Sequence, residues 1–131
     1  MAEVSVKAYV KGMQLAPRKV SLVAGLVRGR TVADALVILQ HTPKRAAKPL
    51  AKLIESAKAN AVNNHRVKEE GLVITTLSVT AGERLKRYRP AAHGRALPFQ
   101  RKTSNIKVVV EGVEKPKKLA AKPSDKKEEA K

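Results

Sequence analysis

The chain has 131 residues, enough for one compact domain, and its 28 Lys and Arg against 11 Asp and Glu give a net charge of +17. So large an excess asks for a polyanionic partner, either nucleic acid or an anionic membrane surface. The lack of cysteine excludes disulfides, thiol catalysis and cysteine-ligated metal, and no apolar run approaches the roughly 18 residues of a membrane span.

In chain order, Met1–Gly12 is polar and alternating, unlike a secretory signal. Val4, Val6, Ala8 and Val10 alternate with Ser5, Lys7, Tyr9 and Lys11, which is strand period with one buried face. Pro17 opens a helical pattern with Val20, Val23, Ala24 and Val27 on one face, and Gly29 ends it. Thr31 suits the N-cap of a second helix, with Asp34 as a short variant of the capping box. Val32, Ala35, Leu36 and Leu39 form its stripe, and Pro43 closes it.

A third helix is expected from about Lys44 to about Asn64. Ala46, Ala47, Leu50, Leu53, Ile54, Ala57 and Ala61 recur at helical spacing, and Pro49 is tolerable only near the first turns. One of the asparagines near residue 64 would serve as its C-cap. After a polar loop, Leu72–Thr80 and Ile106–Val110 have strand composition.

Between those strands, Ala81–Asn105 is strongly basic with scattered apolar residues, which suggests an extended hairpin. Arms of ~10–12 residues at ~3.3 Å each project roughly 35 Å. With no apolar face to stand on, the arm is expected to be ordered by binding. Residues 83–110 hold eight Lys and Arg against one acid, the densest charge in the chain. The segment from 113 to 131, with two prolines and mixed charge, is expected to be a disordered tail. The fold class is α+β: three helices on a small antiparallel sheet with a protruding basic hairpin. Residues 1–112 form one domain, and the hairpin covers about 81–105. The core must be aliphatic, since aromatics are only 2%, and this also argues against a base-stacking platform.

Four constellations could hold RNA. The arm offers Arg84, Lys86, Arg87, Arg89, Arg95, Arg101 and Lys102: arginine forks for phosphate and bases, lysines as point charges. The first helix and its end offer Arg18, Lys19, Arg28 and Arg30. Lys44, Arg45, Lys48 and Lys52 begin the third helix, where cations oppose the macrodipole. Asn60, Asn63, Asn64 and His65 end it, and their side chains could bond sugar or bases. Catalytic patterns are missing: His41, His65 and His93 lack metal-ligand spacing, and no glycine run matches a phosphate-cradling loop. No cofactor and no small-molecule substrate are implied. A DNA-compacting protein would share the charge without needing one hairpin so basic. A membrane-surface protein would need a basic helix with an aromatic face, which no helix here has.

The segments LKRYRP at 85–90, HGRA at 93–96 and RKTSNIKVVV at 101–110 resemble the hairpin signature of the ribosomal protein L-twenty-two family, bacterial type. APRKVSLVAGLVRGRTVADAL at 16–36 resembles that family's first two helices, and LIESAKANAVNN at 53–64 its third. The resemblance implies three helices on a three-stranded sheet and a cytoplasmic, ribosome-bound structural protein without enzymatic activity. It implies binding to large-subunit rRNA early in assembly, beside neighbouring large-subunit proteins. The hairpin would line the nascent-peptide exit tunnel, its tip at the constriction near the macrolide site. By motif position the tip is Leu85, Lys86, Arg87, Tyr88, Arg89, Pro90, Ala91, Ala92, His93, Gly94, Arg95 and Ala96. Arg101, Lys102, Thr103 and Ser104, on the returning arm, join the expected RNA contacts. The chain departs from the family pattern at Ala91, His93 and Asn105, where arginine, lysine or arginine, and histidine are usual.

Overall fold

Alternation carries the N-terminal segment into β1, Glu3–Met13, in a computed structural model that describes residues 3–114. The order then runs α1 (Pro17–Val27), α2 (Val32–His41), α3 (Ala47–His65), β2 (Val73–Pro90) and β3 (Ala96–Val113). The strands form one antiparallel sheet in the order β1-β3-β2. The fold is therefore α+β, with three helices against a three-stranded sheet. Both strands of the expected hairpin are longer than their apolar stretches, because the ladder resumes after a slip in register and continues into the basic arm.

One face of the sheet is covered by helices. Val6 and Ala8 of β1, Ile74 and Leu77 of β2, and Ile106, Val108 and Val110 of β3 point into it. Val20, Val23, Ala24 and Val27 of α1 meet them, with Leu50, Leu53, Ile54, Ala57 and Ala61 of α3. The core is aliphatic, as the composition requires. Val10 departs from expectation at 36% exposed. It lines an open groove of about 550 Å³ between β1 and α3, beside Pro49, Lys52 and Leu53, so the helical cover ends at Ala8.

Thr31 caps α2 as expected, its hydroxyl accepting from the Asp34 N–H at 3.3 Å. The Asp34 carboxylate accepts from that same hydroxyl at 2.8 Å, rather than from the cap's backbone as in a full capping box. Helix α3 begins at Ala47, three residues later than expected. This places Pro49 within the first turn, where its missing N–H costs no helix bond, and leaves Lys44 and Arg45 in the preceding turn. No asparagine caps α3: the helix runs through His65 and Arg66 takes the left-handed position, φ 51°. The next residue, Val67, donates its N–H to the Ala61 carbonyl at 3.0 Å and is fully buried.

Between α1 and α2 the chain runs beside β2. Gly29 donates to Ile74, Ile74 to Arg30, and Val32 to Leu72, at 2.9–3.1 Å. The boundary expected at residue 112 falls later, since β3 reaches Val113 and Glu114 bridges to Val67. The rest of the expected tail lies outside the described residues. Gly112 is itself buried, and a Cβ there would sit 2.6 Å from Val67 Cγ1 and 2.8 Å from Leu72 Cδ2.

Candidate nucleic-acid interface

Beyond a slip in register between Ala81 and Arg84, the arm is a two-stranded ladder from Arg84–Lys102 to Pro90–Ala96. Seven pairs at 3.3 Å give roughly 20–25 Å, less than expected, because the slip takes up residues 82–83, the turn takes up 91–95 and residues 103–105 lie at the body end. Prolines fit here since each strand of the ladder has a free edge that needs no N–H. At the turn, Ala91 donates to the Arg95 carbonyl at 2.8 Å, and His93 and Gly94 both take positive φ, 59° and 68°.

The register divides the arm's side chains between two faces. Arg84, Lys102, Lys86, Gln100 and Tyr88 share one. The other alternates Leu85, Phe99 and Leu97 with Arg101, Arg87 and Arg89. This corrects the expectation that the arm lacks an apolar face. Leu85 and Phe99 are half-buried, and the Arg89 guanidinium lies 4.5 Å from the Phe99 ring centroid, a cation–π contact. Each face thus carries three cations, and Arg95 adds one at the turn.

Two of the hollows between the arm and the body gather cations from both. In one, of about 340 Å³, Arg84 and Lys102 meet Arg18 and Lys19 at the start of α1. Ala16 gives that helix no side-chain cap, so its positive end adds to the field there. In the other, of about 610 Å³, Arg87 and Arg101 meet Arg45. The fold therefore unites the arm with the start of α1 and with the turn before α3. Lys58 and Glu69, 3.1 Å apart, form the one ion pair among the described residues, so the arm's cations have no carboxylate partner there.

Other candidates lie apart. Lys44 and Lys48 are exposed in and after the turn that holds Arg45. Asn60 lines the groove between β1 and α3, and Asn63 is exposed one turn further on. Arg28 and Arg30 sit at the far end of α1 with their Nε groups engaged: Arg28 donates to the Leu77 carbonyl at 2.9 Å and Arg30 to the Leu26 carbonyl at 3.0 Å. The Arg28 bond holds the helix end against β2 and the Arg30 bond closes back on the last turn of α1, roles the sequence did not suggest.

Thr103 and Ser104 do not present their hydroxyls as expected. Thr103 is 7% exposed and donates to the Glu83 carbonyl at 2.7 Å, spanning the slipped register. Ser104 is fully buried on the core face with no hydrogen-bond partner. The sequence reading also passed over Gln14, which lines the hollow beside Arg45, and Lys7 and Lys11 of β1, the edge strand that borders the β1–α3 groove. Among the described residues no three His, Asp or Glu side chains gather as a metal site would need, and no helix is long and apolar enough to cross a membrane.

Residues 8–111 match the family model described as ribosomal protein L22p/L17e. Curated relatives named large ribosomal subunit protein uL22 are similar along most of their length. The one from Herpetosiphon aurantiacus is 47% identical over 105 residues, 80% of this chain and 93% of that protein. Those from Mesoplasma florum and Clostridioides difficile are 44% and 45% identical over 104 residues, 79% of this chain and 93% and 94% of theirs.

Proposed function

We propose, from the premise that this chain belongs to the ribosomal protein L22p/L17e family and is a constituent of the large ribosomal subunit, that its arm is a two-sided rRNA clamp lining the peptide exit tunnel. The family is one of structural ribosomal proteins rather than enzymes, and its members work in the cytoplasm within the ribosome. Large-subunit rRNA and neighbouring ribosomal proteins are accordingly the partners. The observation that carries the finer reading is the distribution of charge on the arm. Three cations on each face suit an element flanked by phosphate on both sides, whereas a hairpin lying on one RNA surface needs only one basic face.

Arg18 and Lys19 extend the clamp on one side, and Arg45, with Lys44 and Lys48 nearby, on the other. Arg28, Arg30, Asn60 and Asn63 would make contacts away from the arm. Between Pro90 and Arg95 the turn has only Ala91, Ala92, His93 and Gly94, with no permanent charge. A wall of two alanines and a glycine around one imidazole would give a passing peptide little to hold. The arm would thus be fixed by phosphate along its length and expose its least adhesive part to the tunnel, while the helical body helps to organise rRNA during assembly.

The test is a photo-crosslinking residue placed at Tyr88 or at Ala92 in subunits carrying a stalled nascent chain. Position 88 should crosslink rRNA, and position 92 should crosslink the nascent peptide. Crosslinks from position 92 to solvent-side components alone would remove the tunnel placement.

A further inference from the structure

Helices cover one face of the sheet, and the opposite face is open. The register sets Tyr9, Lys107 and Ser78 side by side across the three strands, with Lys7, Val109 and Thr76 in the adjoining row. Lys11 follows toward the arm. Tyr9 is 58% exposed, and Lys7, Lys11 and Lys107 are exposed with no carboxylate partner among the described residues. The acids of this face, Glu3 and Glu111, lie in the rows furthest from the arm. The cations therefore gather in the half that adjoins it.

We propose that this open sheet face is a second RNA site, taking an unpaired base on the Tyr9 ring while Lys7, Lys11 and Lys107 neutralise the phosphates on either side. The inference rests on the RNA-binding reading above and adds a kind of contact that the arm's phosphate clamp does not supply. Aromatics at 2% cannot build a platform for several bases, but one exposed ring on a pleated surface offers a stacking plane to a single base. Lys107 beside it, with Lys7 and Lys11 to either side, are placed for the flanking backbone. Thr76 and Ser78 put short hydroxyls beside the ring for a base edge. A protein partner would need an apolar centre around Tyr9, whereas Val109 is the one aliphatic side chain in these two rows and the exposed Val73 and Val113 lie beyond them among Glu111 and Glu3. A regular duplex keeps its bases stacked inside, so the occupant is a loop or a single strand.

The chain has two tyrosines and no tryptophan, so Tyr88→Phe leaves Tyr9 as the sole reporter of its emission class. Titrating that full-length variant with a single-stranded RNA oligonucleotide should quench Tyr9 saturably, and a blunt RNA duplex of equal length should not. Tyr9→Ala should weaken single-strand binding by about five- to hundredfold and leave duplex binding unchanged, with Tyr9→Phe retaining wild-type affinity. Should Tyr9→Ala fail to fold, Lys107→Ala with the quenching assay decides instead, through weaker saturation of the Tyr9 signal. If the single strand binds by anisotropy while Tyr9 emission stays constant, this site is wrong and the arm's role stands. If neither RNA binds at low salt, the reading beneath it falls as well. Shielding of Tyr9 from acrylamide in the free chain, relieved by truncation after Glu114, would assign the face to the chain's own C-terminal segment and overturn the proposal.

Discussion

The backbone N–H of Gly12 donates to Oδ1 of Asn105 at 2.9 Å, tying a bulge in the edge strand β1 to the central strand β3. Strand β1 slips register between Val10 and Met13, and β2 slips between Ala81 and Arg84. Both irregularities flank the same stretch of β3, residues 102–106. Bulges bend a strand and raise its twist, so paired bulges here set the direction in which the arm leaves the body. Gly82 belongs to this junction, since a Cβ there would lie 2.5 Å from Thr103 Oγ1.

Asn105→Ala removes the acceptor and should release the Gly12 amide to faster hydrogen exchange. The bond is exposed, so global stability should fall by no more than about 1 kcal/mol. Asn105→Asp keeps an acceptor oxygen and should keep the protection. Equal Gly12 protection in wild type and Asn105→Ala would mean that the bulge is held by the ladder alone.

Gly112→Ala should destabilise the chain by about 1–3 kcal/mol, because the added methyl meets Val67 and Leu72 inside the core. Both are buried and short, with little room to swing away. Thermal denaturation measures this, and a simultaneous Val67→Ala change should recover part of the loss by making room. An unchanged midpoint for Gly112→Ala would show that this end of the sheet is looser than its packing suggests.

Helix faces, the Thr31 cap and the strand alternation were legible in the sequence because each depends on neighbours within about one turn. What escaped depends on register between strands. Leu85, Leu97 and Phe99 look scattered along the chain and share a face only once Arg87 is set opposite Phe99. Ser104 could have been placed, since it has the same parity as Ile106, Val108 and Val110, and the alternation carried back by two residues points it inward. Thr103 has the opposite parity and is covered only because β2 slips register beside it. The basic residues were individually visible, but the meeting of Arg18 and Lys19 with Arg84 and Lys102 needed the fold.

Affinity for rRNA should depend steeply on salt. If the arm with its two hollows makes ~6–10 phosphate contacts, log K should fall against log salt with a slope of roughly −5 to −9. Charge removal on the two faces should act alike: Arg84→Ala with Lys86→Ala should reduce the slope about as much as Arg87→Ala with Arg101→Ala, by roughly 2 units each. Titrations at several salt concentrations test both claims. If only one pair of substitutions lowers the slope, a single face meets RNA in that complex and the two-sided clamp fails.

The arm and the core should be separable in energy. Leu85 pairs with Arg101, so replacing residues 86–100 by Asn-Gly closes the ladder there with a two-residue turn. The replaced residues are exposed or half-buried, and none belongs to the core cluster. The bond from Thr103 to the Glu83 carbonyl and the Gly12–Asn105 tie are both left in place. Thermal unfolding of the isolated chain should therefore hardly change. Leu53, 3% exposed beneath the same sheet, gives the contrast: Leu53→Ala should cost about 2–5 kcal/mol. The shortened protein keeps Arg18, Lys19 and Arg45 and should still enter large subunits with weakened binding. On the proposed placement it should widen the tunnel at its constriction and alter macrolide action there. Calorimetry of the free chain and a structure of subunits carrying the shortened arm decide the matter. Unfolding on loss of the arm would make it part of the core, through the Leu85–Phe99–Leu97 side chains. An unchanged tunnel wall would show that the arm runs elsewhere in the subunit.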